Sequence, residues 1–213
     1  MVGVRGEHAG RAAAQRSTLR QKQKDATRSR ITEAALELFS KEGFQAANID
    51  AIARQAGIAR TTFYLHFRTK HDLANAIAEP LRPIFEEVFR LLGGIGTDSA
   101  AVDLWLDHYL ATVREHAVKL AVATQANVSD AALGRDLTLL NEEYAGIVAH
   151  ALLGDLAPTA REISQIHLML LTLERYSFLV EVQHAIISRE LRAAMTVMIT
   201  GMIAPLRERA TSV

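Results

Sequence analysis

Between Gly57 and Lys70 the chain reads GIARTTFYLHFRTK. This stretch sets polar hydrogen-bonding groups among large apolar ones. On a helix entering the major groove of duplex DNA, the side chains of the first turn reach the base edges. Arg60, Thr61 and Thr62 would occupy that turn. An arginine can donate two bonds to guanine O6 and N7, while a threonine can bond to a base or phosphate, or touch a thymine methyl. Tyr64 offers a hydroxyl to phosphate or base, and Lys70 can neutralise a phosphate from the side. Phe63 and Phe67 are four residues apart, so they share the opposite, inward face. His66 has two readings, a bond to phosphate or a packed structural imidazole. Leu65 fits neither set and is expected at the groove edge, against a thymine methyl or sugar.

Such a helix needs a frame. Upstream, Ile31, Ala34, Ala35, Leu38 and Phe39 recur at helical spacing, and Gly43 ends that helix. Asn48 is placed as the N-cap of a short second helix, IDAIARQA, with Ile49, Ile52, Ala53 and Ala56 inward. It is also counted with the DNA-facing residues. Gly57 stops the second helix, and the third runs from about Ala59 to Phe67. Three short helices with a glycine between the last two are the pattern of a helix-turn-helix unit. KHDLANAIAEPLRPIFEEVFRLLGG is expected as one longer helix, kinked where Pro80 and Pro83 each remove an intrahelical bond.

Charge divides along the same line. Residues 1–70 hold 13 Lys and Arg against 6 Asp and Glu, which leaves 11 against 18 in the rest of a chain of formal net charge +0. A basic front can meet a polyanion that the acidic back would repel. Residues 1–24 lack an apolar period and are expected as a disordered basic arm able to enter a minor groove or follow phosphates.

The constellation AANIDAIARQAGIARTTFYLHFRTKHDL resembles the DNA-binding region of the TetR family of bacterial transcriptional regulators. The resemblance rests on Ala56-Gly57, Thr62, Phe63-Tyr64, His66-Phe67 and Lys70, with ITEAALELFSKEGF as the family's first helix. Ala59 and Thr61 depart from the pattern, which often has Ser and Gly there. The lost side-chain cap at Ala59 costs about 1 kcal/mol of helix stability. The resemblance implies an all-α protein: a three-helix helix-turn-helix DNA-binding domain over 25–71, then a helical ligand-binding and dimerisation domain over 72–213. It also implies a pocket whose occupant moves the two DNA-reading heads of a homodimer, and DNA as the partner, most simply under repression relieved by a small hydrophobic or amphipathic effector.

Candidate pocket liners are Trp105, His108 and Tyr109, then Asn141 and Tyr144, then His167, Leu171, Glu174 and Phe178. In the last helix, Leu191, Met195, Met198, Met202 and Leu206 form one stripe for the chain's own core. Ala194, Val197, Gly201 and Ala204 form a second, smooth stripe suited to a helix from another copy. Thr159 and Glu162 are spaced as a capping box, and Ser188 can cap the final helix.

Other chemistries find little footing. There are 0 Cys, so no disulfide framework or thiolate site exists. The histidines show no ligand spacing for a metal, and no phosphate-binding glycine loop or nucleophile elbow occurs. Neither cofactor nor catalytic residue is expected. The most apolar run, Ile166–Val182, carries His167, Glu174, Arg175 and Glu181, so no membrane span is expected and a cytoplasmic location is. The rival reading is a helical small-molecule-binding or catalytic protein with a merely structural basic front.

Overall fold

The computed structural model describes residues 4–96, 98–129, 131–186 and 188–212, with side chains in 18–96, 98–127, 139–186 and 188–212. All regular structure among them is helical. Two compact units divide at Ile77 and Ala78, six residues beyond the boundary expected after residue 71.

The first unit holds α1 (Val4–Glu42), α2 (Ile49–Gln55), α3 (Arg60–Tyr64) and α4 (Lys70–Ala78). Of the expected apolar set, Ile31, Ala35, Phe39, Ile52, Phe63 and Phe67 are buried and Ile49 is half-buried, and Leu73 and Ala74 of α4 join the core. Phe39 meets Phe44 with ring centres 5.1 Å apart, and Phe63 meets Phe67 at 5.9 Å. Chain reversals follow local chemistry. The Asn48 side chain accepts from the Ala51 amide at 2.9 Å and caps α2. At its other end Gly57 takes φ +65°. The Ile58 amide donates to the Ala53 carbonyl at 3.0 Å and the Gly57 amide to Arg54 at 3.1 Å. Those two bonds are a Schellman motif, and its left-handed position is one that glycine fills without a Cβ penalty. Thr69 and Asp72 cap α4 reciprocally: Asp72 accepts from the Thr69 amide at 3.1 Å, and Thr69 Oγ1 accepts from the Asp72 amide at 2.9 Å. The expected disordered arm over 1–24 differs from the structure, which continues α1 back to Val4. Ala, Arg, Gln and Lys dominate that stretch, and all are good helix formers. The side chains of Arg5, Arg11 and Arg16 lie outside the described ones.

The second unit follows a 3-10 turn at Glu79–Leu81 that opens on Pro80. The expected single helix is therefore interrupted there, as the missing proline N–H requires. Then come α5 (Arg82–Leu92), α6 (Ser99–Glu115), α7 (Ala117–Ser129), α8 (Ala131–Leu153), α9 (Ala160–Ser177), a π turn (Phe178–Val182) and α10 (Arg189–Thr211). The sequence reading had missed α7, which is parted from α6 by His116 alone. The core is built from one face of each of α5, α6, α8, α9 and α10, including Phe89, Leu106, Val148, Leu173 and Ile199. Gly93, at the end of α5, lies so close to α8 that a Cβ would collide with Ala151. The Thr159–Glu162 capping box and the Ser188 cap both form.

Candidate nucleic-acid interface

The short α3 is fixed from below and open above. Phe63 is wholly buried, while Leu65 is 78 % exposed and Tyr64 43 %. Arg60 and Thr61 are exposed and Thr62 half-buried. Leu65 thus stands on the open side. Ala59 takes an extended backbone and makes no side-chain cap, as its type dictates.

Arg60 is held rather than loose. Its Nη1 donates to both Asp50 carboxylate oxygens, at 2.9 and 2.8 Å, and Nη2 to the Tyr64 hydroxyl at 3.3 Å. The Tyr64 hydroxyl, then the Asp50 carboxylate, raise its pKa further. A guanidinium oriented by two fixed partners loses less freedom on meeting a base. Asp50 was missed by sequence reading, since nothing local links positions ten apart across a turn. Asp50 thus sets a negative charge beside the Arg60 guanidinium on this open surface.

Two expected contacts take different roles. Lys70 Nζ donates to the carbonyls of Phe44, Gln45 and Ala47 at 2.6, 3.2 and 2.9 Å. It also sits 4.5 Å from the centre of the Phe44 ring. Its three protons therefore close the α1–α2 loop, and desolvation lowers its pKa. His66 is half-buried, with an Nδ1 that has no hydrogen-bond partner. Burial, then Lys24, then Arg28 lower its pKa, so charge on this half-buried imidazole is disfavoured beside two cations. Asn48 spends its side-chain oxygen on the α2 cap. Arg28, on α1, lies 4.2 Å from the Phe67 ring centre and donates to the His66 carbonyl at 3.2 Å.

In the second unit only some of the nine expected liners come together. Trp105, Tyr109 and Tyr144 are buried among Phe85 and Phe89, with Tyr109 stacked on Trp105 at 5.6 Å and Tyr144 against Phe89 at 5.0 Å. The Trp105 indole donates to the Val88 carbonyl, and the Tyr109 hydroxyl shares a bond with Ser177. Burial raises the pKa of both tyrosines. Asn141 is buried and donates to Glu174 at 3.2 Å. His167 and Phe178 are half-buried, whereas His108 and Leu171 face solvent. Aromatic residues here fill the core because ring packing satisfies them without a ligand.

A cleft of about 570 Å³ opens elsewhere in this unit. Asp107, Arg114, Tyr176, Glu181, Arg189 and Arg192 line it together with Leu110 and Val180. Arg114 grips the buried Glu181 at 2.7 and 2.9 Å, and Arg192 bonds Asp107 at 2.8 Å. Partners 67 and 85 residues apart leave no sequence signal. No group of His, Asp and Glu suited to a metal occurs among the described residues. No described helix is long and apolar enough to cross a membrane.

Fold and site define a helix-turn-helix head followed by a helical second unit. Residues 31–77 match the family described as bacterial regulatory proteins, tetR family. Among curated relatives, the HTH-type regulator YvdT of Bacillus subtilis is 43 % identical over 60 residues, covering 28 % of this chain and 31 % of that one. AcrR of Shigella flexneri is 42 % identical over 53 residues, 25 % of either chain. The matches thus span about a third or less of these relatives' length. Among solved structures, GusR of Salmonella enterica superposes with a TM-score of 0.62 at 18 % identity, over 84 % of this chain and 95 % of that one. A transcriptional regulator from Aquifex aeolicus superposes at 0.57 and 17 % identity, over 87 % and 98 %. At such identity the likeness carries the fold, which is all-α over nearly the full length.

Proposed function

We propose that the protein is a DNA-binding transcriptional regulator and not an enzyme, acting in the cytoplasm as a homodimeric repressor released by a small effector. The observation that carries this reading is the exposed Arg60, Thr61 and Tyr64, with the half-buried Thr62 beside them, on a helix anchored by Phe63. A pocket enzyme has no use for such a row. The match of residues 31–77 to a family of regulators supports it.

Two-fold pairing is supported by the stripe the sequence singled out. Ala194, Val197 and Gly201 are exposed and Ala204 half-buried, and Gly201 has open space around it. On α9, Leu168 and Leu171 are open as well, at 65 % and 42 %. Apolar helix faces of this kind are covered most simply by a second copy. The charged cleft supports an amphipathic effector over a purely apolar one, because Arg189 and Arg192 stand beside Leu110 and Val180.

Selection of bound duplexes from fragmented genomic DNA tests the reading. The expected product is a pseudo-palindrome with half-sites about 34–36 Å apart, one helical turn. Recovery of fragments without a shared sequence overturns it.

A further inference from the structure

The helix α1 is longer than its core requires. Ile31 is its first wholly buried described residue. From Thr18 to Arg30 every residue is exposed except the half-buried Thr27. This stretch carries Arg20, Lys22, Lys24, Arg28 and Arg30 against Asp25 alone, and Asp25 accepts from Gln21 at 2.8 Å. Arg20, Lys24 and Arg28 follow one another at four-residue steps and so share one face. Like charges at that spacing oppose an isolated helix, and a helix polar all round gains nothing from a core. A polyanion along the row would reverse the sign of that repulsion.

The row also has a defined end. Arg28 lies over the Phe67 ring and donates to the His66 carbonyl, at the exit of α3. The charges of Lys24 and Arg28 both act on the His66 imidazole. The cationic face therefore begins beside the recognition helix and leads away from it. At 1.5 Å per residue, the step from Arg28 back to Arg20 is about 12 Å, the rise of about three to four base pairs.

We propose that residues 20–28 of α1 form a second nucleic-acid contact, with Arg20 and Lys24 on the phosphodiester backbone of duplex DNA flanking the sequence that α3 reads. Arg28 is the positioning residue that docks the row against Phe67. The proposal rests on the DNA-binding reading above, and it assigns phosphates rather than bases because the side chains are cations on an open face. It makes binding depend on the length of the duplex as well as on its sequence.

The test uses the full chain and its R20Q/K24Q variant, since glutamine retains helix propensity. Two duplexes are titrated over a range of potassium chloride: the selected sequence alone, and the same sequence with random flanks of about one helical turn on each side. Wild type is expected to bind the flanked duplex more tightly and with a steeper salt slope. The variant loses about two units of that slope per protomer, at about 0.9 per phosphate, and matches wild type on the unflanked duplex. Equal slopes for both proteins on flanked DNA, or an equal loss on both duplexes, overturn the proposal, as does a charge effect seen only with anionic vesicles. If wild type selects no sequence yet the slope still depends on Arg20 and Lys24 with flanked DNA, the regulator reading fails and the contact stands.

Discussion

Lys70 and Phe44 are joined twice: the ammonium donates to the Phe44 carbonyl at 2.6 Å and rests 4.5 Å from the centre of its ring. Two further carbonyls, of Gln45 and Ala47, complete its donors. The loop that sets α2 against α1 is thus closed by a lysine from the start of α4. Substitution Lys70→Ala removes hydrogen bonds to a charged group and leaves the part-buried carbonyls of Phe44 and Ala47 without that donor. The expected loss is about 1.5–3 kcal/mol of stability, read by urea denaturation of the full chain. If stability is unchanged while the salt slope of DNA binding falls by about one unit, the lysine serves phosphate instead.

Asp50 gives the recognition surface a second lever. Its carboxylate orients Arg60 through a single nitrogen, Nη1, and sets a negative charge where phosphate would approach. Arg60→Ala should cost about 1–3 kcal/mol on the selected duplex and relax preference at one base position. Asp50→Asn acts in the opposite sense on random DNA: it removes repulsion, so non-specific affinity rises while discrimination falls. Competition between selected and random duplexes measures both. A parallel loss on both duplexes in Arg60→Ala would count against base reading.

Short-range chemistry was legible in advance. The Asn48 cap, the left-handed Gly57, the Thr159–Glu162 box and the Ser188 cap each depend on residues within about a turn of one another, and the inward Phe63 and Phe67 follow from helical spacing alone. Longer links were not. Arg28 meets Phe67, and Arg192 meets Asp107, only after the chain has folded. The aromatic candidates were ambiguous for a related reason. Their types suit a pocket or a core equally well, and the close approach of Phe85, Phe89, Trp105, Tyr109 and Tyr144 appears only in the folded chain. Lys70 carries the residue type of a phosphate contact, yet the three carbonyls that occupy it converge from a loop more than twenty residues upstream.

Glu162 makes a pH prediction. The Thr159 amide, then Arg209, then the Thr159 hydroxyl hold its pKa down at about 2, against an ordinary value of 4.5. A carboxylate with a depressed folded pKa adds stability above its unfolded value and loses it as pH falls through the folded one. The stability gap between wild type and Glu162→Gln should therefore be full near neutrality. It should shrink steadily as pH drops from about 5 towards 2. Thermal unfolding of both proteins across that range measures it. A gap independent of pH would place the glutamate's contribution in packing rather than in charge.

The exposed stripe of α10 separates association from folding. A side chain added at Gly201 meets open space within the chain, and Val197 is 69 % exposed, so neither Gly201→Leu nor Val197→Asp disturbs the second unit's own core. Gly201→Leu also exchanges a poor helix former for a good one, which favours α10 by up to about 1 kcal/mol. Any loss of assembly then reports on the surface between copies. Light scattering should show the wild type as a dimer and both variants shifted towards monomer, with helical content by circular dichroism unchanged. Val197→Asp should be the stronger, since a carboxylate enclosed between two apolar helices lacks a partner. Variants that stay dimeric at the wild-type concentration would move the interface to another face, and the exposed Leu168 and Leu171 on α9 would be the next to change.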